Sequence, residues 1–306
     1  MRAYGAHLRR PPDHLPGLSR AEEAAVRARY WLSANVIKAS MDKTFPGAVA
    51  AGLAAPWGRA VSAGSPVNGL APYFGSYREV FARDAYEAFT GFLLDGDLAT
   101  ARSIVNFLFD RQQLPDGRMP RNSLLNGKAA PDTGGIQLDE TAWPILMAWQ
   151  AGMAGQPGIF TKHVEPAANY LVAHGPSYGV ERWEEQTGYS PSTIAAEIAG
   201  LVAAGHIAAL HHNTGLSRLY LATADEFQRT VIPETVTSNG PDSASPYFLR
   251  LSKNANPDTG VTYQLGNGNT CTYDQRRVID AGFLELTRLG ALSQSLPVVA
   301  NSLGVV

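Results

Sequence analysis

One local signal recurs along most of this chain: apolar residues three or four apart, introduced by residues that cap helices. Ser19-Arg20-Ala21-Glu22 has the capping-box form, in which Ser accepts from the third helical N–H and Glu reaches back. Val26, Tyr30, Ala34 and Ile37 then share one face of a helix expected over 21–40. The same spacing runs from Arg78 to Leu94 and stops at Asp95-Gly96. Asp97 is placed to cap the next helix, whose stripe is Ala101, Ile104, Val105 and Leu108. Helical patterns follow over Gln137–Gly152, from Ser190-Pro191 to about His211, over Ser217–Val231 and over Arg277–Leu289. The Val/Ile/Thr alternation that a sheet needs is nearly absent. The fold expected is therefore all-α, about eight paired helices joined alternately by short turns and long loops. The loops run from Pro46 to Pro72, from Pro120 to Gly135 and through Pro233–Thr272. No Gly/Ser-rich or Pro-rich linker divides the chain, which points to a single domain over 1–306.

Charge and cysteine content remove several function classes. Lys and Arg number 25 against 27 Asp and Glu, a formal charge of −2, and no basic run offers a footprint for nucleic acid or anionic lipid. Cys271 is the one cysteine, which excludes an intrachain disulfide framework and a cysteine metal cluster. The most apolar stretch, Ile194–Leu210, is shorter than the ~20 residues of a membrane helix and is interrupted by Glu197 and His206. The start, Met1-Arg-Ala-Tyr, lacks the apolar core of an export signal, so location stays undetermined. Phosphate-loop, dinucleotide and H-E-x-x-H motifs are missing. Acidic loops could offer oxygens to calcium, but without a recognisable ligand spacing, and no cofactor is expected.

Three clusters carry possible chemistry. In Glu181-Arg182-Trp183-Glu184-Glu185, three carboxylates within five residues repel one another, and burial would raise the proton affinity of at least one. An indole wall from Trp183 would push the same way, as a carboxylic acid that donates to a leaving group requires. A solvated acidic turn is the plainer alternative. In Tyr77-Arg78-Glu79-Val80-Phe81-Ala82-Arg83-Asp84, Arg83 and Asp84 could hold vicinal sugar hydroxyls between donor and acceptor groups. Tyr77 and Phe81, one helical turn apart, could form an aromatic wall beside them. A surface helix with a solvated charge pair would read the same way. Asp139 and Glu140 open a helix after Gly134-Gly135, where the helix dipole alone explains them.

Taken together the segments resemble the catalytic domain of bacterial glycoside hydrolase family 15, the glucoamylase and glucodextranase family. The resemblance lies in WLSANVIKASMDKTFPGAVAAGLAAPWG (Trp31–Gly58), YFGSYREVFARDAYEAFTGFLLDGDLATA (Tyr73–Ala101) and QQLPDGRMPRNSLLNGK (Gln112–Lys128). It continues in QLDETAWPILMAWQ (Gln137–Gln150), WEEQTGYSPSTIAAEIAGLVAA (Trp183–Ala204) and YDQRRVIDAGFLELTRLGA (Tyr273–Ala291).

The resemblance implies an (α/α)6 toroid of helical hairpins around a pocket for the non-reducing end of an α-glucan, and glucose release with inversion. It implies Glu184 as general acid, with Glu185 on the sugar hydroxyls beside it and Trp183 desolvating the acid. It implies Arg83 and Asp84 as clamps on the terminal glucose, and Tyr77 with Phe81 as that subsite's wall; fungal relatives have tryptophan in place of Phe81. The expected partners are malto- or isomaltooligosaccharides. The family's base stretch, resembling R-Y-N-x-D-G-Y-G-E, has no counterpart here. The chain is thus expected to be a truncated member, an incomplete toroid without its catalytic base, poorly active alone. Its open edge would expose apolar helix faces and favour self-association. The alternatives are a carbohydrate-binding or structural remnant, and a related helical-toroid hydrolase acting on trehalose or uronides.

Overall fold

The computed structural model describes residues 2–53, 61–62, 74–75, 77–130, 133–266 and 269–306. Most of the loop expected up to Pro72, with Tyr73, lies outside these residues. The chain groups into two compact units, one of residues 1–113 with 122–133 and one of 114–121 with 134–306.

The first unit holds α1 (Arg2–Gly5), α2 (Arg20–Ala39), α3 (Ala82–Asp95) and α4 (Leu98–Phe107), which a π-helical turn extends over Leu108–Gln112. The short pair β1 (Val61–Ser62) and β2 (Phe74–Gly75) is antiparallel. Ser19 and Glu22 form both bonds of the expected capping box. Asp97 caps α4 by accepting from the Thr100 N–H at 3.1 Å, and its other oxygen takes the Lys38 ammonium at 3.0 Å. The helix expected from Arg78 starts four residues later, because Val80 is paired with another segment and Phe81 is extended. Val80 pairs with Ser123 in an antiparallel bridge, and the Gln112 amide donates to the Val80 carbonyl at 2.8 Å. Gly96, in the left-handed region at φ 87°, ends α3 as its position after Asp95 suggests.

The second unit is built on α7 (Pro191–Leu210), which packs against α5 (Leu138–Gln150), α6 (Glu165–His174) and α8 (Thr214–Thr235). Small residues let these axes approach. A side chain at Gly200 would meet the Ala142 Cβ at 3.0 Å, and one at Gly205 would meet Leu221 at 2.7 Å. At 20 residues α7 is longer than the apolar stretch read from the sequence, and by length and composition it could cross a bilayer. Yet 72% of its apolar window is buried against neighbouring helices, as in the core helix of a folded domain. Ser190 precedes it without a side-chain cap bond, so Pro191 alone marks the start.

Strand content exceeds the expectation. The region read as loop holds the antiparallel pairs β3 (Val236–Thr237) with β4 (Tyr247–Phe248), and β5 (Thr262–Gly266) with β6 (Asn269–Asp274). Cys271 lies in β6, exposed, rather than in a loop. The helix expected over Arg277–Leu289 is two 3₁₀ turns, Gln275–Arg277 and Ala281–Phe283, followed by α9 (Leu284–Arg288). Asp274 and Asp280 cap those turns through their side chains, which divides the segment. The chain ends in α10 (Pro297–Leu303), against β4.

Candidate active site

The acidic run Glu181–Glu185 occupies the loop between α6 and α7, in the second unit. Glu181 fixes its shape. Its N–H donates to the Gln186 carbonyl, its carbonyl accepts from the Glu184 N–H at 2.8 Å, and its carboxylate accepts the Trp183 N–H at 2.9 Å. The Gln137 amide, just ahead of α5, donates to the same carbonyl at 3.2 Å. This tight turn places Glu184 at φ 68°, a left-handed conformation rare for a residue with a Cβ. Such a cost of about 1–3 kcal/mol persists where surrounding bonds over-determine it, commonly at functional sites.

The three carboxylates have different environments. Glu181 is 3% exposed, and burial pushes its carboxyl above the ordinary range, an effect opposed by the Trp183 N–H and by Arg250. One Arg250 nitrogen donates to Glu181 at 2.7 Å and to Glu185 at 2.9 Å, so two carboxylates share a single positive charge. Glu184 pairs with Arg121, Nη1 to Oε2 at 2.6 Å, and its side chain is 33% exposed. The carboxyl of the run that burial raises is therefore Glu181, and Glu184 is held by a cation. Trp183 is 49% exposed, and its indole N–H donates to Asp280 at 2.7 Å. Asp280 also takes Arg182 at 2.7 Å. These bonds tie the loop to the turn before α9.

The β5–β6 hairpin backs the same loop. The Gln186 amide donates to the Gln264 carbonyl at 2.7 Å, and a side chain at Gly266 would fall 2.9 Å from the Glu185 Cγ. Tyr263, 5% exposed, has a hydroxyl without a hydrogen-bond partner among the described residues, and burial raises its proton affinity. Lys253 bonds the Gln186 and Thr187 oxygens, and burial lowers its ammonium's proton affinity.

The Tyr77–Asp84 cluster belongs to the first unit and is described by itself. Arg83 and Asp84 open the first turn of α3, Arg83 half-buried and Asp84 exposed. Phe81 precedes that helix in extended conformation, 7% exposed. Tyr77 and Phe81 are not on one helix, contrary to expectation, yet their rings lie 6.3 Å apart at 53°. Glu79 is almost fully buried and accepts from the Asn122 amide, which stiffens the strand ahead of Arg83.

Sequence reading singled out neither Arg121, Arg250 nor Asp280 as site residues. Asp139 and Glu140 do open α5, but they are buried, 1% and 0% exposed, where a dipole argument alone expects a solvated terminus. Among the described residues no three His, Cys, Asp or Glu side chains converge to hold a metal ion.

The sequence matches the profile of Glycosyl hydrolases family 15 over residues 26–305. A glucoamylase of Clostridium sp. (strain G0005) is 35% identical over 277 residues, 90% of this chain and 37% of that protein. A bacterial glucoamylase solved in complex with acarbose superposes with a TM-score of 0.85 at 32% identity, covering 99% of this chain and 41% of the other. A glycosidase solved in complex with glucose shares the fold alone, with a TM-score of 0.65 at 18% identity over 95% of this chain and 71% of that one. The chain thus spans less than half the length of the two glucoamylases. Its helical fold is that of an incomplete (α/α)6 toroid, and the chain belongs to glycosyl hydrolase family 15.

Proposed function

We propose that this chain carries the acid-bearing part of an inverting, exo-acting α-glucosidase that releases glucose from the non-reducing end of α-1,4- or α-1,6-linked oligosaccharides. Glu184 is the general acid in this reading. The observation that carries it is the left-handed Glu184 held by four backbone and side-chain bonds through Glu181. Such a turn spends stability to aim one carboxyl. One third exposed, that side chain can exchange protons with solvent between turnovers, whereas the buried Glu181 serves as scaffold.

Inversion needs a second carboxylate about 6.5–9.5 Å from the acid, with a water between them. We assign that base to a segment other than these 306 residues, and the two units to one catalytic domain. Glu185 would reach sugar hydroxyls beside the acid, and Trp183 offers a half-exposed ring to a sugar face. Arg83 and Asp84, at an N-terminal helix turn, are suited to clamp hydroxyls, with Tyr77 and Phe81 as the apolar wall. The support for an oligosaccharide substrate is the acarbose complex of the related glucoamylase.

The test is glucose release from maltotriose, isomaltotriose and trehalose, by the chain and by Glu184→Gln. A slow release from maltotriose or isomaltotriose that Glu184→Gln abolishes is expected. Turnover at about 1–1,000 per second, the range of working enzymes, would show that the base is present after all. Hydrolysis of trehalose alone would favour a different substrate class.

A further inference from the structure

We propose that Arg121 governs the proton of Glu184: it holds the carboxylate while the site is empty and yields it when a glucoside's leaving oxygen arrives. This rests on Glu184 being the general acid. The contact between them, 2.6 Å, is short and charge-assisted. The Arg121 side chain is 14% exposed and lies in a loop anchored two residues earlier, where the Met119 N–H donates to the Thr141 hydroxyl of α5 at 3.1 Å.

A guanidinium keeps its charge at any pH a folded protein meets, so it favours the anionic form of its partner. A carboxylate has no proton to give. Glu184 therefore needs a second arrangement in which Arg121 lets go and the acid is protonated. The charged residues on either side of it in the run have partners of their own. Arg250 holds Glu181 and Glu185, and Asp280 holds Arg182. Glu181 and Glu185 share one positive charge, so once the Arg121 contact loosens the anions of this run outnumber its cations, surroundings that favour the neutral acid.

The step balances as follows. The Glu184 proton passes to the glycosidic oxygen as the bond from that oxygen to the anomeric carbon breaks, its electron pair staying with the oxygen. Water gives its hydroxyl to the anomeric carbon and its proton to the base. Glu184 is left as the carboxylate that Arg121 takes back, and its exposed edge accepts the next proton from solvent.

The test is a 13C NMR titration of side-chain carboxyls in the glutamate-labelled 306-residue chain, with Glu184→Gln to assign the resonance. In Arg121→Met the Glu184 midpoint is expected to rise by one pH unit or more, a tenfold gain in proton affinity. Arg121→Lys should restore most of the wild-type value. Wild type saturated with maltotriose is expected to show a rise too, a readout that survives a failure of Arg121→Met to fold. An unchanged midpoint in Arg121→Met, or in the maltotriose-saturated wild type, overturns the proposal. A chain that binds no maltotriose by calorimetry overturns the glycosidase reading instead, whatever Arg121 does to the titration.

Discussion

At the scale of single residues, chemistry here is set by which partner each carboxylate of one short run receives. Glu181 is buried and braced, Glu185 shares its arginine, and Glu184 stands in a left-handed turn against Arg121. The backbone cost at Glu184 can be measured directly. Glu184→Ala and Glu184→Gly both remove the carboxylate, but only glycine adopts φ 68° freely. Glu184→Gly is expected to be more stable than Glu184→Ala by about 1 kcal/mol in urea unfolding. Equal stabilities would show that the turn is relaxed. The sequence made the acidic run conspicuous but not its partners. Arg121 lies 63 residues from Glu184, Arg250 69 from Glu181, and Asp280 97 from Trp183. Spacing rules work within a few residues, so such partners become visible only once the helices have packed.

At the scale of elements, two buried ionisable groups set the energetics. Removing one partner of a buried ion pair strands the other, a loss of about 3–5 kcal/mol. Arg250→Leu is expected to lose that much, because Glu181 is almost fully buried. Adding Glu181→Leu should recover most of it, and a double variant as unstable as the single one would contradict the pairing. On α7, Glu197 is completely buried, neither oxygen has a hydrogen-bond partner among the described residues, and burial with Asp139 nearby pushes its carboxyl well above the ordinary range. A raised carboxyl stabilises least at high pH. The unfolded chain ionises above the ordinary glutamate value while the folded chain does not, so stability falls by about 1.4 kcal/mol per pH unit. Glu197→Gln removes that slope. From pH 5 to 7, wild type is expected to lose about 1–3 kcal/mol relative to the variant, and parallel curves would contradict a neutral Glu197. Helix identity was legible wherever capping and periodicity agreed, as at Ser19 and Asp97. It failed for α6, which continues from a π-helical turn over Ile159–Val164 rather than from a cap. It failed too for the β5–β6 hairpin, whose short strands give alternation little length in which to show.

At the scale of the whole molecule, family membership and the extent of the match organise the rest. The chain aligns along nearly its entire length with less than half of a bacterial glucoamylase. Apolar side chains remain exposed on several helices, among them Leu32 and Val36 on α2 and Trp149 on α5. If these faces pair between copies, sedimentation should show a mass that rises with concentration, and Leu32→Glu with Val36→Glu should return it to that of one chain. A constant single-chain mass would exclude self-association through α2. The claim on which the account turns is that Glu184 occupies the acid position of a sugar-binding site. Covalent labelling with an epoxyalkyl α-maltoside, followed by peptide mass spectrometry, addresses it most directly. The label is expected on Glu184, with maltotriose protecting it. Modification confined to other carboxyls, or insensitive to maltotriose, would contradict the account.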